Sequence, residues 1–266
     1  MEARQLESTT KQNQQSWNTG AYAAWLQRFG TPAEAAVKLK AAPAKRLGTA
    51  LSYMGDVAGK RIVNLLGSNG NKAVALALLG AQSTVIDFSD ENKRYAEELA
   101  AEAGVPLTYI SADVLKLPEA QLTADYDIVF MEFGILHYFL DLAPLFAVVR
   151  GLLRQGGKLV LQDFHPVSTK LISSRGTTAN IRKHKVTGDY FSTELEEKEV
   201  AFSKFLPEHG GQTQTVKLRN WTLGEIVTGI AAEGLYITLL EELPNQSSDV
   251  FDQGIPKTFT IAALKL

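Results

Sequence analysis

Two features of this sequence are suited to binding a nucleotide: a glycine-bearing turn after one apolar stretch and an acid at the end of the next. The acid is Asp87, which ends the stretch 83–87. The turn follows the stretch 61–66 and consists of Gly67, Ser68, Asn69 and Gly70. Glycines let a backbone approach a ligand closely, and the helix predicted after the turn offers unpaired N–H groups. A carboxylate at the position of Asp87 can accept hydrogen bonds from both hydroxyls of a ribose.

Each of these features also has a structural interpretation. Loops between strands and helices use glycine routinely, so the turn alone is weak evidence. Asp87 could instead cap the next helix, although Ser89 and Asp90 are already available as caps. The dinucleotide fingerprint GxGxxG is absent from the turn. The two features together indicate a nucleotide site, because they occur in order within one strand–turn–helix–strand unit.

Three further candidate residues lie where predicted strands end. Asp113 follows the third strand, and His137 and His165 lie just beyond the fourth and fifth. Open α/β sheets bind ligands at the carboxyl ends of their strands. A neutral imidazole there can take a proton from an attacking hydroxyl or amine, so both histidines are candidate catalytic residues. The alternatives are a packing or hydrogen-bonding role for either histidine, and a solvated turn position for Asp113.

A metal site is not expected. A pair formed by His137 and His165 lacks the spacing of supporting ligands that metal motifs show. The other two histidines, His184 and His209, are predicted to be solvated.

The elements that must position these residues alternate between strand and helix. Apolar runs such as 128–131 suit strands that are buried on both faces of a parallel sheet. The predicted strands are 61–66, 83–87, 107–111, 126–132, 157–163, 235–241 and 257–265. The predicted helices of this part are 70–80, 90–103, 141–153 and 222–233. The fold class is therefore α/β: a Rossmann-like seven-stranded, mostly parallel sheet with helices on both faces.

A helical segment precedes the sheet. Residues 1 to about 12 are polar and are predicted to fray. Trp17, Ala21, Trp25 and Phe29 recur every four residues, which predicts one amphipathic helix over 14–29. Thr31 is the expected N-cap of a helix over 32–41, and another helix is predicted from Pro43 to Met54.

A cap is predicted to be inserted late in the sheet, where the alternation breaks at about Phe164. Two extended segments, 190–206 and 212–219, suggest antiparallel strands that fold over the ligand edge. The resulting organisation is an N-terminal helical cover at 1–58, a Rossmann-like core at 59–163 and 221–266, and an inserted substrate cap at 164–220.

Bulk composition excludes several other classes of protein. The chain has 266 residues, 45% of them hydrophobic, and a formal net charge of -2, which gives no footprint for wrapping nucleic acid. It has no cysteine, so disulfides, thiolate metal sites and a cysteine nucleophile are excluded. The polar stretch 1–15 does not resemble a secretory signal, and no apolar run reaches the roughly 18 to 20 residues that span a bilayer. We therefore expect a cytoplasmic protein without a membrane partner.

The ordered set of strands, turn and strand-end acids resembles the class I S-adenosylmethionine-dependent methyltransferases. The resemblance covers about 61–163 and is weaker over 222–265. The Gly156-Gly157 turn before the fifth predicted strand is a further landmark of that family. The cofactor-binding residues that the resemblance implies are Gly67, Ser68, Asn69, Gly70, Asp87, Phe88, Asp113, Val114, Glu132, Phe133, Tyr22 and Trp17.

The resemblance also implies a role for several of these residues. Asp113 would face the adenine amino group, and the N–H of Val114 would face a ring nitrogen. Glu132 and Phe133, just past the fourth strand, would lie near the methionine part of the cofactor and the acceptor.

The resemblance also concerns two N-terminal aromatic residues, Trp17 and Tyr22, and one residue of the first strand, Asn64. Trp17 or Tyr22 would close over the ligand. One position departs from the family pattern, because Asn64 stands in the first strand where relatives carry an acid. This departure puts a contact with the methionine ammonium group in doubt.

The function predicted from the sequence is methyl transfer from S-adenosylmethionine to a small-molecule acceptor by in-line displacement. Nucleic acid is not an expected partner, and a homodimer is left open. Two alternatives remain. The first is an NAD(P)-dependent oxidoreductase, which would also use Asp87, since NAD and S-adenosylmethionine both carry an adenosine ribose. Such an enzyme is expected to carry the GxGxxG fingerprint, which this chain lacks. A non-catalytic cofactor-binding protein of the same fold is kept open by Asn64.

Overall fold

The computed structural model describes residues 2–175, 183–206, 214–246 and 253–266. Its strands are β1 (Arg61–Leu65), β2 (Gln82–Asp87), β3 (Thr108–Ser111), β4 (Tyr126–Glu132), β5 (Leu153–Phe164), β6 (Ile172–Arg175), β7 (Lys183–Val186), β8 (Leu195–Glu199), β9 (Thr215–Arg219), β10 (Leu235–Leu243) and β11 (Thr258–Lys265). Its helices are α1 (Glu2–Trp17), α2 (Ala21–Phe29), α3 (Pro32–Ala41), α4 (Pro43–Leu47), α5 (Ala50–Met54), α6 (Asn71–Leu78), α7 (Asp90–Ala103), α8 (Ala143–Leu152) and α9 (Leu223–Ala232).

One seven-stranded sheet forms the centre of the molecule, in the order β3-β2-β1-β4-β5-β11-β10. The strands from β1 to β5 pair in parallel, and β11 is antiparallel to both β5 and β10. The strand order reverses between β1 and β4, and ligands bind at such a switch point in open α/β sheets. The predicted fold class is confirmed: a seven-stranded, mostly parallel sheet.

Alternation along the strands divides the core into two halves, one on each face of the sheet. In β4, Ile128 and Phe130 pack on the face covered by the N-terminal helices and α7. Val129 and Met131 pack on the opposite face, which α8 and α9 cover. All four side chains are almost fully buried, because successive side chains of a strand point to opposite faces. The sequence of β4 is an uninterrupted apolar run because the sheet has a hydrophobic core on each of its two faces.

The N-terminal segment differs from its sequence-based prediction in two ways. Helix α1 begins at Glu2, so the expected fraying up to about residue 12 is wrong. Two side chains dock it on β9: Asn13 donates to the carbonyl of Lys217 and accepts from its N–H, and Ser16 donates to the carbonyl of Thr215. The predicted continuous helix over 14–29 is also wrong, because the chain turns between α1 and α2 at Asn18, whose side-chain oxygen accepts a hydrogen bond from the Asp90 N–H.

Several helix boundaries were predicted correctly, and one helix was not. Thr31 forms the expected N-cap with a complete capping box to Glu34. The helix expected from Pro43 to Met54 is interrupted and forms α4 and α5. Helix α7 is capped by Ser89 rather than by Asp90, since the Ser89 side chain accepts from the N–H of Asn92.

The inserted segment contains two antiparallel pairs, β6 with β7 and β8 with β9. The predicted extended segments 190–206 and 212–219 correspond to β8 and β9, which are shorter. His209 lies outside the described residues. Within the ranges that the structure describes, no helix is long and apolar enough to cross a membrane.

Candidate functional site

A cleft of about 920 Å³ opens at the carboxyl ends of the parallel strands. Its walls come from the turn after β1, the ends of β2, β4 and β5, helices α1, α2, α4 and α6, the inserted segment after β8, and the strand ends of β10 and β11. Its volume lies near the top of the range of about 300–1,000 Å³ that is usual for ligand pockets. The cleft therefore has room for more than one small molecule.

The turn after β1 is held by hydrogen bonds from two directions. The side-chain oxygen of Asn69 accepts from the backbone N–H and the side chain of Asn71. The hydroxyl of Tyr109, on β3, donates to the carbonyl of Ser68 at 3.0 Å. Leu66 and Ser68 adopt left-handed φ angles of 54° and 48°. Non-glycine residues persist in that region only when their surroundings fix them, and such strain clusters at ligand sites.

Gly67 is required by the close approach of Asn64 beneath the turn. A Cβ atom at position 67 would lie 2.7 Å from Asn64 Oδ1 and 2.9 Å from the Asn64 carbonyl oxygen. Asn64 is buried, and its side-chain nitrogen donates to the carbonyl of Phe130. The residue that departs from the family pattern thus packs directly against the turn.

Asp87 is buried at the end of β2 and binds the turn with its carboxylate. Oδ2 accepts from the N–H of Ser68 at 3.1 Å, and Oδ1 accepts from the N–H of Ser89 at 2.9 Å and the side chain of Asn92 at 3.4 Å. Burial raises the pKa of Asp87, and these hydrogen bonds oppose that shift. A carboxylate has about four acceptor positions, so Oδ2 keeps capacity for a hydroxyl of a ligand in the cleft.

Asp113 and Val114 line a narrow gap beside the cleft rather than the cleft itself. Phe88 borders both spaces. The gap holds only about 20 Å³ and is covered by Thr10 and Asn13 of α1, which is room for about one water molecule. The Asp113 carboxylate accepts from the N–H of Leu115 at 3.0 Å. An adenine ring could reach Asp113 and Val114 only if α1 moved outward.

Glu132 ends β4 and forms a half-buried ion pair with Lys72 of α6, at 3.1 Å between Oε2 and Nζ. Burial raises the pKa of Glu132, and the charges of Lys72 and Arg46 oppose that shift. Phe133 follows with a φ of 39°. The backbone after it is held by Asp163 of β5, which accepts from the N–H of Gly134 at 2.6 Å. Glu132 and Phe133 both line the cleft.

The two candidate catalytic histidines have different surroundings. His137 lines the cleft and packs over Gly134, and its ring lies edge-on to that of Tyr138. Burial, together with the charge of Lys198, lowers the pKa of His137 from 6.5 to about 4. Its imidazole is therefore neutral at physiological pH.

His165 is 3% exposed, and both of its ring nitrogens form hydrogen bonds. Nδ1 accepts from the N–H of Val167 at 3.1 Å, so Nε2 carries the proton and donates to Glu242 at 2.6 Å. His165, a candidate catalytic residue from the sequence, does not line the cleft within the described chain.

The two N-terminal aromatic residues, Trp17 and Tyr22, also differ in their position relative to the cleft. Trp17 lines the cleft, and its Nε1 donates to the hydroxyl of Tyr138 at 3.1 Å. Tyr22, which the resemblance suggested as a ligand contact, lies outside the cleft lining of the described residues. Its hydroxyl donates to Glu98 at 2.5 Å, and its ring stacks under Arg94. The helix break before α2 turns Tyr22 toward α7.

Sequence reasoning missed the charged and aromatic residues on the cleft wall. These are Arg28, Phe29, Arg46, Lys72, Phe164, Lys204 and Phe205. Basic residues on short N-terminal helices are usually solvated, so their types alone gave no signal. One signal was present: Arg28 lies three residues after Trp25 and therefore on the same helix face.

The residues present fit a nucleoside-bearing cofactor. The glycine turn leaves its backbone open to the cleft, and Asp87 presents a carboxylate beside it. Two buried oxygens at the turn, Asn64 Oδ1 and Ser68 Oγ, have no hydrogen-bond partner in the part of the chain that the structure describes. Unsatisfied buried polar atoms of this kind mark a place that a polar ligand or water completes. No group of three or more potential metal ligands occurs among the same residues.

The depressed pKa of His137 predicts an acid-sensitive contribution to folding. The folded-state pKa of about 4 lies below the ordinary value of 6.5, so the unfolded chain binds this proton more tightly, and stability is lost as pH falls from about 6.5 to 4. We expect H137Q to reduce the slope of unfolding free energy against pH in that window by up to about 1.4 kcal/mol per pH unit. Chemical denaturation at several pH values measures the slope. A ring titration by NMR with a midpoint near the ordinary value would contradict this account.

Comparisons with known proteins agree with this geometry. Residues 65–161 match the family model of a methyltransferase domain. An uncharacterized protein of Mycobacterium tuberculosis is 29% identical over 134 residues, which is 50% of this chain and 42% of that protein. The chain thus matches under half the length of this curated relative.

Two solved structures share the fold over most of the chain. An S-adenosylmethionine-dependent methyltransferase from Mesorhizobium loti has a TM-score of 0.62 and 21% identity, covering 83% of this chain and 98% of that one. Magnesium protoporphyrin IX methyltransferase from Synechocystis, with bound S-adenosylhomocysteine, has a TM-score of 0.55 and 13% identity, covering 95% and 97%. At 21% and 13% identity, these two similarities show a shared fold.

Proposed function

We propose that this chain, which carries a class I S-adenosylmethionine-dependent methyltransferase domain, transfers a methyl group from S-adenosylmethionine to a small-molecule acceptor. The observation that carries the proposal is the single cleft that joins the glycine turn, Asp87 and the loop after β4. This arrangement supports a site for the nucleoside beside a site for a second molecule.

The cofactor is held by residues of β1, β2 and the following loops. The turn from Gly67 to Gly70 approaches the amino-acid part, Asp87 accepts a ribose hydroxyl, and Asp113 with Val114 receives the adenine after α1 moves. When bound, S-adenosylmethionine supplies a methyl group already activated on a sulfonium. The protein therefore needs to align the acceptor and exclude water, and these two effects account for most of the rate enhancement.

Three cleft residues are placed to act on the acceptor. Glu132 and Phe133, at the end of β4, orient it. His137, kept neutral by burial, accepts a hydrogen bond or a proton from an acceptor hydroxyl or amine. Its low pKa makes it a weak base, so we assign it mainly to orientation.

The N-terminal helices and the inserted segment select the acceptor. Trp17 and Trp25 from the N-terminal helices line the cleft, as do Ala201, Lys204 and Phe205 from the insertion. A cleft of this size favours a small molecule over a nucleic acid, in agreement with the acidic net charge.

A methyl-transfer assay tests the proposal. The purified chain is incubated with radiolabelled S-adenosylmethionine and a panel of small phenols, amines and carboxylic acids, with bulk tRNA and a protein extract as alternative acceptors. We expect label in at least one small molecule. Label in tRNA or protein alone would overturn the acceptor class. Cofactor binding without any transfer across the panel would favour the non-catalytic alternative.

A further inference from the structure

Two guanidinium groups in the cleft share one phenylalanine ring. The Cζ atom of Arg28 lies 4.9 Å from the centre of the Phe29 ring, and that of Arg46 lies 5.0 Å from the same centre. Arg28 also lies 4.4 Å from the ring of Phe205 in the inserted segment. All four residues line the cleft. We call the two guanidinium groups the arginine pair.

The arginine pair lacks a counterion in the described part of the chain. No described carboxylate lies within ion-pair distance of either guanidinium, and the acid that attracts Arg46, Glu132, is already bonded to Lys72. The Nε of Arg46 is buried and has no hydrogen-bond partner among the same residues. Burial lowers the pKa of both arginines, and the charge of Arg28 lowers that of Arg46 further.

An exposed guanidinium beside a half-buried one, whose Nε lacks a partner in the described part of the chain, favours the binding of an anion. Partly desolvated like charges destabilise each other, and a buried donor without a partner costs its hydration. A carboxylate offsets both costs, because guanidinium groups bind carboxylates through paired, charge-assisted hydrogen bonds. Lys204, whose ammonium lies 5.2 Å from the Phe205 ring, adds a further positive charge to the same wall.

The same cleft also presents an unused aromatic surface. The rings of Phe133 and Phe164 lie 5.3 Å apart and are tilted by 40°. Phe133 is 40% exposed and Phe164 is 48% exposed, so much of both rings faces open space. Exposed aromatic surface inside a cleft suits a planar apolar ligand.

We propose that the acceptor is an aromatic carboxylic acid, whose carboxylate binds the arginine pair and whose ring lies against Phe133 and Phe164. This inference rests on the proposed function and narrows its acceptor class. The cofactor's own carboxylate is the other anion that could reach the pair, so the test must separate the two sources.

Calorimetric titration of the protein saturated with S-adenosylhomocysteine tests the acceptor site. The probes are 4-hydroxybenzoate, 4-hydroxyphenylacetate and 4-hydroxycinnamate, each compared with its neutral amide. We expect at least one acid to bind about 10-fold or more tightly than its amide. We expect R28Q and R46Q each to lower that acid's affinity about 10- to 100-fold and to leave the amide unchanged. The control is R154Q, since Arg154 pairs with Asp127 at the opposite edge of the sheet.

A second titration identifies the source of the anion. It compares S-adenosylhomocysteine with 5′-methylthioadenosine, which lacks the amino-acid carboxylate. We expect both variants to bind the two nucleosides as the unsubstituted protein does. Weaker binding of S-adenosylhomocysteine alone would assign the pair to the cofactor and overturn the inference. Equal binding of every acid and its amide would also overturn it, with the proposed function intact wherever S-adenosylhomocysteine still binds.

Discussion

Replacement of Asp87 by alanine is expected to lower the affinity for S-adenosylmethionine by about 100-fold or more. The Asp87 carboxylate is the acceptor proposed for the ribose, and a hydrogen bond to a charged group contributes about 1.5–3 kcal/mol. The same carboxylate holds the N–H of Ser68 in the turn and that of Ser89 at the start of α7. The substitution therefore removes a ligand contact and releases the turn that faces the cofactor. Calorimetric titration with S-adenosylmethionine measures the change.

Two comparisons make the result specific to the ribose contact. D87N keeps an acceptor of the same shape without the charge, so we expect an intermediate loss of affinity. D90A removes an exposed acid three residues further on, whose carboxylate accepts from Ser111, and we expect it to leave cofactor affinity unchanged. Thermal unfolding of each variant shows that it is folded. Unchanged affinity in a folded D87A protein would contradict the assigned ribose contact.

Replacement of Gly67 by alanine is the second substitution with a large expected effect. The added Cβ would lie 2.7 Å from the Asn64 side-chain oxygen and 2.9 Å from its backbone oxygen. Because the backbone of β1 cannot move without disturbing its pairing with β4, the turn must shift toward the cleft. We expect the free energy of unfolding to fall by about 1–3 kcal/mol, and cofactor affinity to fall at least about 10-fold.

The control for this substitution is a glycine with free space around it. Gly224 lies in the first turn of α9, and an added Cβ there meets nothing within 4 Å. G224A is expected to be neutral or slightly stabilising, since alanine favours helix more than glycine does. N64A combined with G67A should restore only part of the loss, because the Asn64 carbonyl remains. G67A with normal stability and normal cofactor affinity would refute the close packing of the turn.

The sheet was predictable because its strands are buried on both faces. Uninterrupted apolar runs such as that of β4, each ended by a glycine turn or an acid, leave few alternative folds. The positions of the turn after β1 and of Asp87 followed from the same logic, because strand ends in a parallel sheet meet at one edge.

The residues that depend on packing between distant segments were not predictable. The resemblance suggested Tyr22 as a residue that closes over the ligand, but the chain turns at Asn18 and the Tyr22 hydroxyl donates to Glu98. His165 lies at the expected strand end, yet its Nε2–H donates a hydrogen bond to Glu242, from an edge strand far along the sequence. The arginine pair forms only because two short helices bring Arg28 and Arg46 to the same ring.

The central claim is that the cleft binds S-adenosylmethionine, and a calorimetric titration of the purified chain tests it most directly. The ligands are S-adenosylmethionine, S-adenosylhomocysteine and NAD. The account predicts micromolar binding of the first two and no binding of NAD, because the turn lacks the dinucleotide fingerprint GxGxxG. Binding of NAD alone, or of none of the three, would contradict it.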